Sequence, residues 1–204
     1  MDSRSALVGR RAVTFKSIAV AALAALATTA AVRAENRPID VGRSTLTVFA
    51  YKSGLFSAFA DDHVIQAPIA GGSISTDAPL AVEISVRAAS LKVLDPNMAT
   101  DKRDEVQARM LSAEVLDTGK YPDIMFSSTA VEAAGSDRWM VTGRLSIHGE
   151  TRETRFPVAR QGERYRGTVV VKQRDFGIQP ISIVGGTVKV KDELKVEFDI
   201  VAQK

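Results

Sequence analysis

From Ser44 to the C-terminus the chain alternates apolar and polar residues with a period of two. The pattern is plainest where Leu194, Val196, Phe198 and Ile200 are separated by Lys195, Glu197 and Asp199. Successive side chains on a strand point to opposite faces, so this spacing predicts a half-buried antiparallel strand. The same arithmetic holds at Val82, Ile84 and Val86, and again at Trp139, Val141, Leu145 and Ile147. Further strands are predicted over Thr45 to Tyr51, Gly72 to Thr76, Ile124 to Glu132, Glu153 to Ala159, Tyr165 to Gln173 and Thr187 to Lys191. Turn chemistry falls between them at Gly71-Gly72, Gly135-Ser136-Asp137, Gly162-Glu163 and Gly185-Gly186.

One segment breaks the period. Thr100 to Leu116 is rich in helix formers and sets Val106, Met110 and Leu111 on one face, with Thr100 or Asp101 as the expected amino-terminal cap. Leu55 to Asp62 fits a short helix or a strand equally well. The expected fold class is therefore all-β with one or two short helices. Eight or more consecutive strands in an open sheet would leave two adhesive edges, so the sheet is expected to close into an antiparallel up-and-down β-barrel.

Residues 1–34 stand apart. Arg10, Arg11 and Lys16 precede an uncharged alanine-rich run from Ser17 to Val32, and Val32-Arg33-Ala34 offers small residues for cleavage before Glu35. This reads as a signal peptide, exported by the general or the twin-arginine route, and the mature protein is expected in the periplasm. The segment holds five basic residues and one acidic, a surplus of four, so the formal charge of +3 becomes −1 without it. The basic balance then belongs to the export signal, and nothing in the remaining composition argues for nucleic acid. Residues 35–204 fit one domain, which must hold together without disulfides because the chain has no cysteine.

In a soluble barrel the apolar phase points inward. It names Phe126, Val141, Leu145, Ile147, Phe156, Val169, Val171, Leu194, Val196, Phe198 and Ile200 as interior, with Trp139 and Tyr121 as candidates for a cavity wall. A barrel of this size is either filled by its side chains or holds one small ligand, and alternation alone leaves both open. Catalytic machinery is not legible: there is no Gly-x-Ser-x-Gly elbow, no glycine-rich phosphate loop and no His-Glu-x-x-His, so no enzyme is expected. Asp61-Asp62-His63 and His148 lack the dense ligand clustering of a zinc site, so no metal is expected, and His148 reads as a surface residue bonding its own loop.

Four motifs in order resemble the YceI-like family. They are the charged helix Asp101 to Leu116; Lys120-Tyr121-Pro122 leading to Phe126-Ser127-Ser128; Val141-Thr142-Gly143-Arg144-Leu145-Ser146-Ile147-His148-Gly149-Glu150-Thr151; and Arg174-Asp175-Phe176-Gly177-Ile178. The resemblance implies an extended lipocalin-like barrel whose tunnel holds an isoprenoid chain, either a polyprenyl compound or a ubiquinone-like quinone, with no other cofactor. Phe176 joins the implied ligand-binding set on this ground. The family's Asp-x-x-His-Ser step reads Asp40-Val41-Gly42-Arg43-Ser44 here, so that histidine has no counterpart. The Tyr165 to Gln173 segment is short and lacks the family's tryptophan. The implied role is a periplasmic carrier or sequestering protein, with transient membrane contact and a dimeric state left open. The rival is a ligand-free interaction or stress-response module acting through its surface.

Overall fold

A computed structural model describes residues 35–53, 62–183 and 188–203; the predicted signal segment, most of Leu55 to Asp62, Gly185-Gly186 and Thr187 lie outside the described residues. The strands are β1 (Asn36–Pro38), β2 (Thr45–Ser53), β3 (His63–Gln66), β4 (Ile69–Ser75), β5 (Ala81–Arg87), β6 (Lys92–Val93), β7 (Asp123–Gly135), β8 (Arg138–Ile147), β9 (Glu150–Gln161), β10 (Arg164–Lys172), β11 (Ser182–Ile183) and β12 (Val188–Val201), with one α-helix, α1 (Thr100–Leu111). They form a single antiparallel sheet in the order β1-β4-β5-β7-β8-β9-β10-β12-β2-β3-β6, with β11 beside β12.

The order is that of an up-and-down barrel: β4 to β12 run as a meander and β12 returns to β2. Direct pairing lapses between β3 and β4, where Pro68 has no N–H to give. The segment just after β1 stitches the β4 side to the end of β12. Ile39 N–H donates to Gly72 O at 3.0 Å, Asp40 N–H to Val201 O at 2.8 Å and Gln203 N–H to Pro38 O at 2.8 Å. Ile39 also forms an isolated bridge with Ala202. The remaining edge, β6, is covered by α1. Gln107 Oε1 accepts from Val93 N–H and its Nε2 donates to Leu91 O, both at 2.8 Å.

Helix α1 buries Met110 in a core cluster that includes Val86, Val93, Leu116, Val171 and Phe176, and Val106 and Leu111 pack against that cluster. A second cluster, Ile39, Ile69, Ile74 and Ile200, fills the seam made by the bridge after β1.

Four expectations need correction. The helix ends at Leu111 because Ser112 leaves helical geometry and its N–H closes on Ala108 and Arg109. Its boundary residue is Ala99, without a side-chain cap, since the turn from Asp95 to Met98 delivers the chain one residue earlier than Thr100. Gly71-Gly72 is a bulged stretch inside β4 rather than a hairpin turn. Gly72 lies at φ +147, and a Cβ there would strike the Glu83 carbonyl on β5. The last two predicted strands are one, β12, whose register slips between Val190 and Leu194. Asp192 sits in that slip and accepts the Arg174 N–H at 3.0 Å.

Candidate functional site

The inward phase of the strands does not fill the barrel. It encloses a cavity of about 850 Å³. All twelve candidate ligand-binding residues line it: Phe126, Trp139, Val141, Leu145, Ile147, Phe156, Val169, Val171, Phe176, Leu194, Val196 and Phe198, joined by Ile200. Tyr121 does not; its ring packs against His148 with centroids 4.4 Å apart and lies under Gly149.

The wall also takes in residues that the sequence reading left out. Leu46, Val48 and Ile65 come from β2 and β3, Val82, Ile84 and Val86 from β5, and Val106 and Met110 from α1. The strand residues carry the same period-two signal and could have been found by it. The helix residues could not, because a helical face says nothing of what it covers.

The middle of the cavity is aromatic. Phe126, Phe156 and Phe198 stand in a row, with centroids 5.4 Å and 5.5 Å apart at tilted to edge-on angles. Two glycines, on β8 beside β7 and on β10 beside β12, make room for the outer two rings. A Cβ at Gly143 on β8 would enter the Phe126 ring, and one at Gly167 on β10 would enter the Phe198 ring. The rings therefore lie close against the sheet and leave the axis open.

The two ends differ from the middle in carrying polar groups. At one end Trp139 and Tyr165 pack 6.0 Å apart beside Arg160, whose guanidinium is tied to Asp137. At the other, Lys52, His63 and Lys189 from the strands meet Lys102, Glu105 and Arg109 from α1. Arg109 is engaged by Glu105 at 3.6 Å and Glu114 at 3.4 Å.

His63 is the built feature of this end. It pairs across the sheet with Ala50, which lines the cavity, so it occupies the inner face. Its Nδ1 lies 2.7 Å from Asp95 Oδ2, while Asp95 Oδ1 accepts the Val64 N–H at 2.8 Å. Asp95 is 6% exposed, one of the few buried polar residues described. It is carried there by the continuation of β6, where Leu94 N–H donates to Val64 O at 2.8 Å.

The other histidine corrects the surface reading. His148 is half-buried, adopts φ +51, and its Nδ1 bonds to the Phe176 carbonyl at 3.2 Å, pinning the β8–β9 turn to the short 3-10 turn after β10. Arg174 and Asp175 are exposed and do not line the cavity. Among the described residues no three His, Asp or Glu side chains gather as a metal site would require.

On the outer face Asp199 takes Arg164 Nε at 2.6 Å and Arg166 Nε at 2.8 Å. Partial burial opposes its charge, yet the two arginine hydrogen bonds outweigh that and hold the carboxyl below its ordinary 3.8.

A family profile described as the YceI-like domain matches residues 38–202. Among curated proteins, a UPF0312 protein of Pseudomonas putida is 32% identical over 120 residues, 53% of this chain and 59% of that protein. A UPF0312 protein of Azotobacter vinelandii is 33% identical over the same spans. The chain thus spans about three fifths of the length of these relatives. Among solved structures, Burkholderia cenocepacia BcnA superposes with a TM-score of 0.63 at 18% identity, covering 81% of this chain and 99% of that one. A polyisoprenoid binding domain from Saccharophagus degradans does so with a TM-score of 0.55 at 15% identity, covering 81% and 97%. At such identities the two structures speak for the fold alone. The profile, by contrast, runs from the bridge after β1 to the last residues of β12, so it takes in the whole cavity wall, and on that extent the chain belongs to the YceI-like family.

Proposed function

We propose that this chain binds the tail of an apolar isoprenoid, polyprenyl or ubiquinone-like, inside the barrel, as an exported, non-enzymatic carrier or sequestering protein of the periplasm. The observation that carries the reading is the open apolar cavity of about 850 Å³, within the range of sites that bury most of a small ligand. A barrel acting only through its surface would have no need of that space, which weighs against the ligand-free reading. Burying a dozen methylene-sized groups contributes on the order of 10 kcal/mol before the costs of association and ordering. Desolvation of the tail is thus sufficient for retention. The twelve candidate residues are its contact surface, with α1 closing one side. A polyisoprenoid binding domain among the fold neighbours is in keeping with this choice of ligand class.

The test is native mass spectrometry of the protein purified from the periplasm of a Gram-negative host, followed by organic extraction. A stoichiometric polyprenyl or prenylquinone adduct on a chain beginning at Glu35 is the expected result. A clean apo mass that takes up no added isoprenoid would remove the carrier reading, and an unprocessed chain in the cytoplasm would remove the export reading.

A further inference from the structure

Desolvation of a tail explains retention but does not choose a headgroup, and the His63–Asp95 pair is a device for choosing one. Asp95 is buried and both its oxygens act as acceptors, Oδ1 for the Val64 N–H and Oδ2 for His63. An acceptor facing Nδ1 at 2.7 Å requires the proton on Nδ1. Nδ1 is thereby committed to the wall. The other ring nitrogen, Nε2, has no hydrogen-bond partner among the described residues, and His63 lines the cavity while Asp95 does not. In the neutral ring Nε2 is an acceptor only, set at the mouth of an apolar cavity.

Resting on the lipid reading above, we propose that His63 Nε2 is the headgroup site and that it takes an isoprenoid bearing a hydroxyl, a prenol or the quinol form of a prenylquinone, in preference to the acceptor-only quinone. Asp95 is a positioning residue that fixes the tautomer. The hydroxyl donates to Nε2 while the tail runs inward past Val48 and Ile65. A quinone carbonyl at the same place would meet a lone pair with a lone pair and lose the bond it makes to water. Lys52, Lys102, Glu105, Arg109 and Lys189 share the rim, so every comparison is made at one fixed pH and ionic strength.

The experiment measures, under anaerobic conditions, the affinity of the purified protein for one short-tailed ubiquinone in its oxidised and dithionite-reduced forms. The absence of cysteine leaves the protein covalently unchanged by the reductant. Geranylgeraniol, its methyl ether and squalene complete the set. The wild-type protein is expected to bind quinol about tenfold more tightly than quinone, the size of one well-made hydrogen bond plus the penalty for a mismatched one. Tighter binding of geranylgeraniol than of its ether extends the site to prenols; equal binding confines it to quinols.

His63→Leu is expected to erase the preference while squalene still binds. Asp95→Asn carries the sharpest outcome. Its amide oxygen keeps the Val64 bond, its amide nitrogen now donates to Nδ1, and the ring proton moves to Nε2; that N–H can donate to a quinol hydroxyl or to a quinone carbonyl, so the preference for quinol should be lost. A purely structural role for Asp95 would leave the preference in place. Equal affinities for quinol and quinone in the wild type, or a preference that survives His63→Leu, would overturn the assignment while squalene binding left the tail reading standing. Failure of every ligand to bind would take down both. An Asp95→Asn protein that melts cooperatively and keeps the wild-type preference would also overturn it.

Discussion

The waist and the mouth of this cavity are built on different rules. At the waist Phe126, Phe156 and Phe198 line a wall by alternation along three strands, and two glycines receive two of the rings. At the mouth His63 and Asp95, 32 residues apart, make one short polar contact that a main-chain N–H completes. Burial of apolar surface is non-directional, so the waist can hold any chain of suitable width. A buried polar pair is directional and costly when half-satisfied, so the mouth can discriminate. On the proposed reading, affinity and selectivity belong to separate parts of one cavity.

The largest effect should follow from placing a charge at the waist. Val196→Glu puts an unpaired carboxylate into the apolar wall, with an expected loss of lipid retention and a destabilisation on the order of 3 kcal/mol. Native mass spectrometry and a urea melt read the two effects. A folded variant that still carries lipid would remove Val196 from the site, and Leu145→Glu provides the independent repeat. Next is overpacking. Gly167→Ala drives a methyl group into Phe198 and the Pro157 carbonyl and should cost about 1–3 kcal/mol. Adding Phe198→Leu should recover part of that loss in a double-mutant cycle; strict additivity would break the glycine-and-ring account.

At the mouth, Asp95→Ala leaves the Val64 N–H and the His63 Nδ1–H without acceptors and should cost about 1–3 kcal/mol. Squalene affinity should not move, because the waist is untouched; a parallel loss of squalene binding would show that waist and mouth are not separable. The smallest effect lies outside the cavity. The Asp199 carboxyl is depressed in the folded state, so its contribution is present above 3.8 and is lost as pH falls below that toward its folded value. Its partners are 32% and 45% exposed, which limits the contribution to under about 1 kcal/mol. The stability gap between the wild type and Arg166→Ala at pH 7 should therefore narrow at pH 3. A gap of constant width would assign Arg166 a packing role instead.

Much of the waist was legible from the chain. Alternation is a local property, and it identified the long strands, their inner face and the strand residues among the twelve candidates, whereas Phe176 lies in a 3-10 turn and came from the family motif. Alternation missed Leu46, Val48 and Val82 to Val86 only because those strands were not carried through to the interior list. Gly72 shows the limit of local reading: a glycine pair looks like a turn, and only the Glu83 carbonyl opposite reveals a close approach between strands. His148 shows it again, since the bond to Phe176 that buries it spans 28 residues.

The sequence by itself determined that the protein would be an antiparallel barrel-like sheet with one or two short helices and an apolar interior, because periodicity and turn chemistry act over a few residues at a time. Only the tertiary structure decided that the interior is hollow and that its mouth holds an oriented histidine. Whether a barrel is filled depends on stagger and on side-chain volumes summed around the whole ring. The Asp95 carboxylate reaches His63 only because β6 pairs with β3, a contact between distant segments that no local pattern encodes.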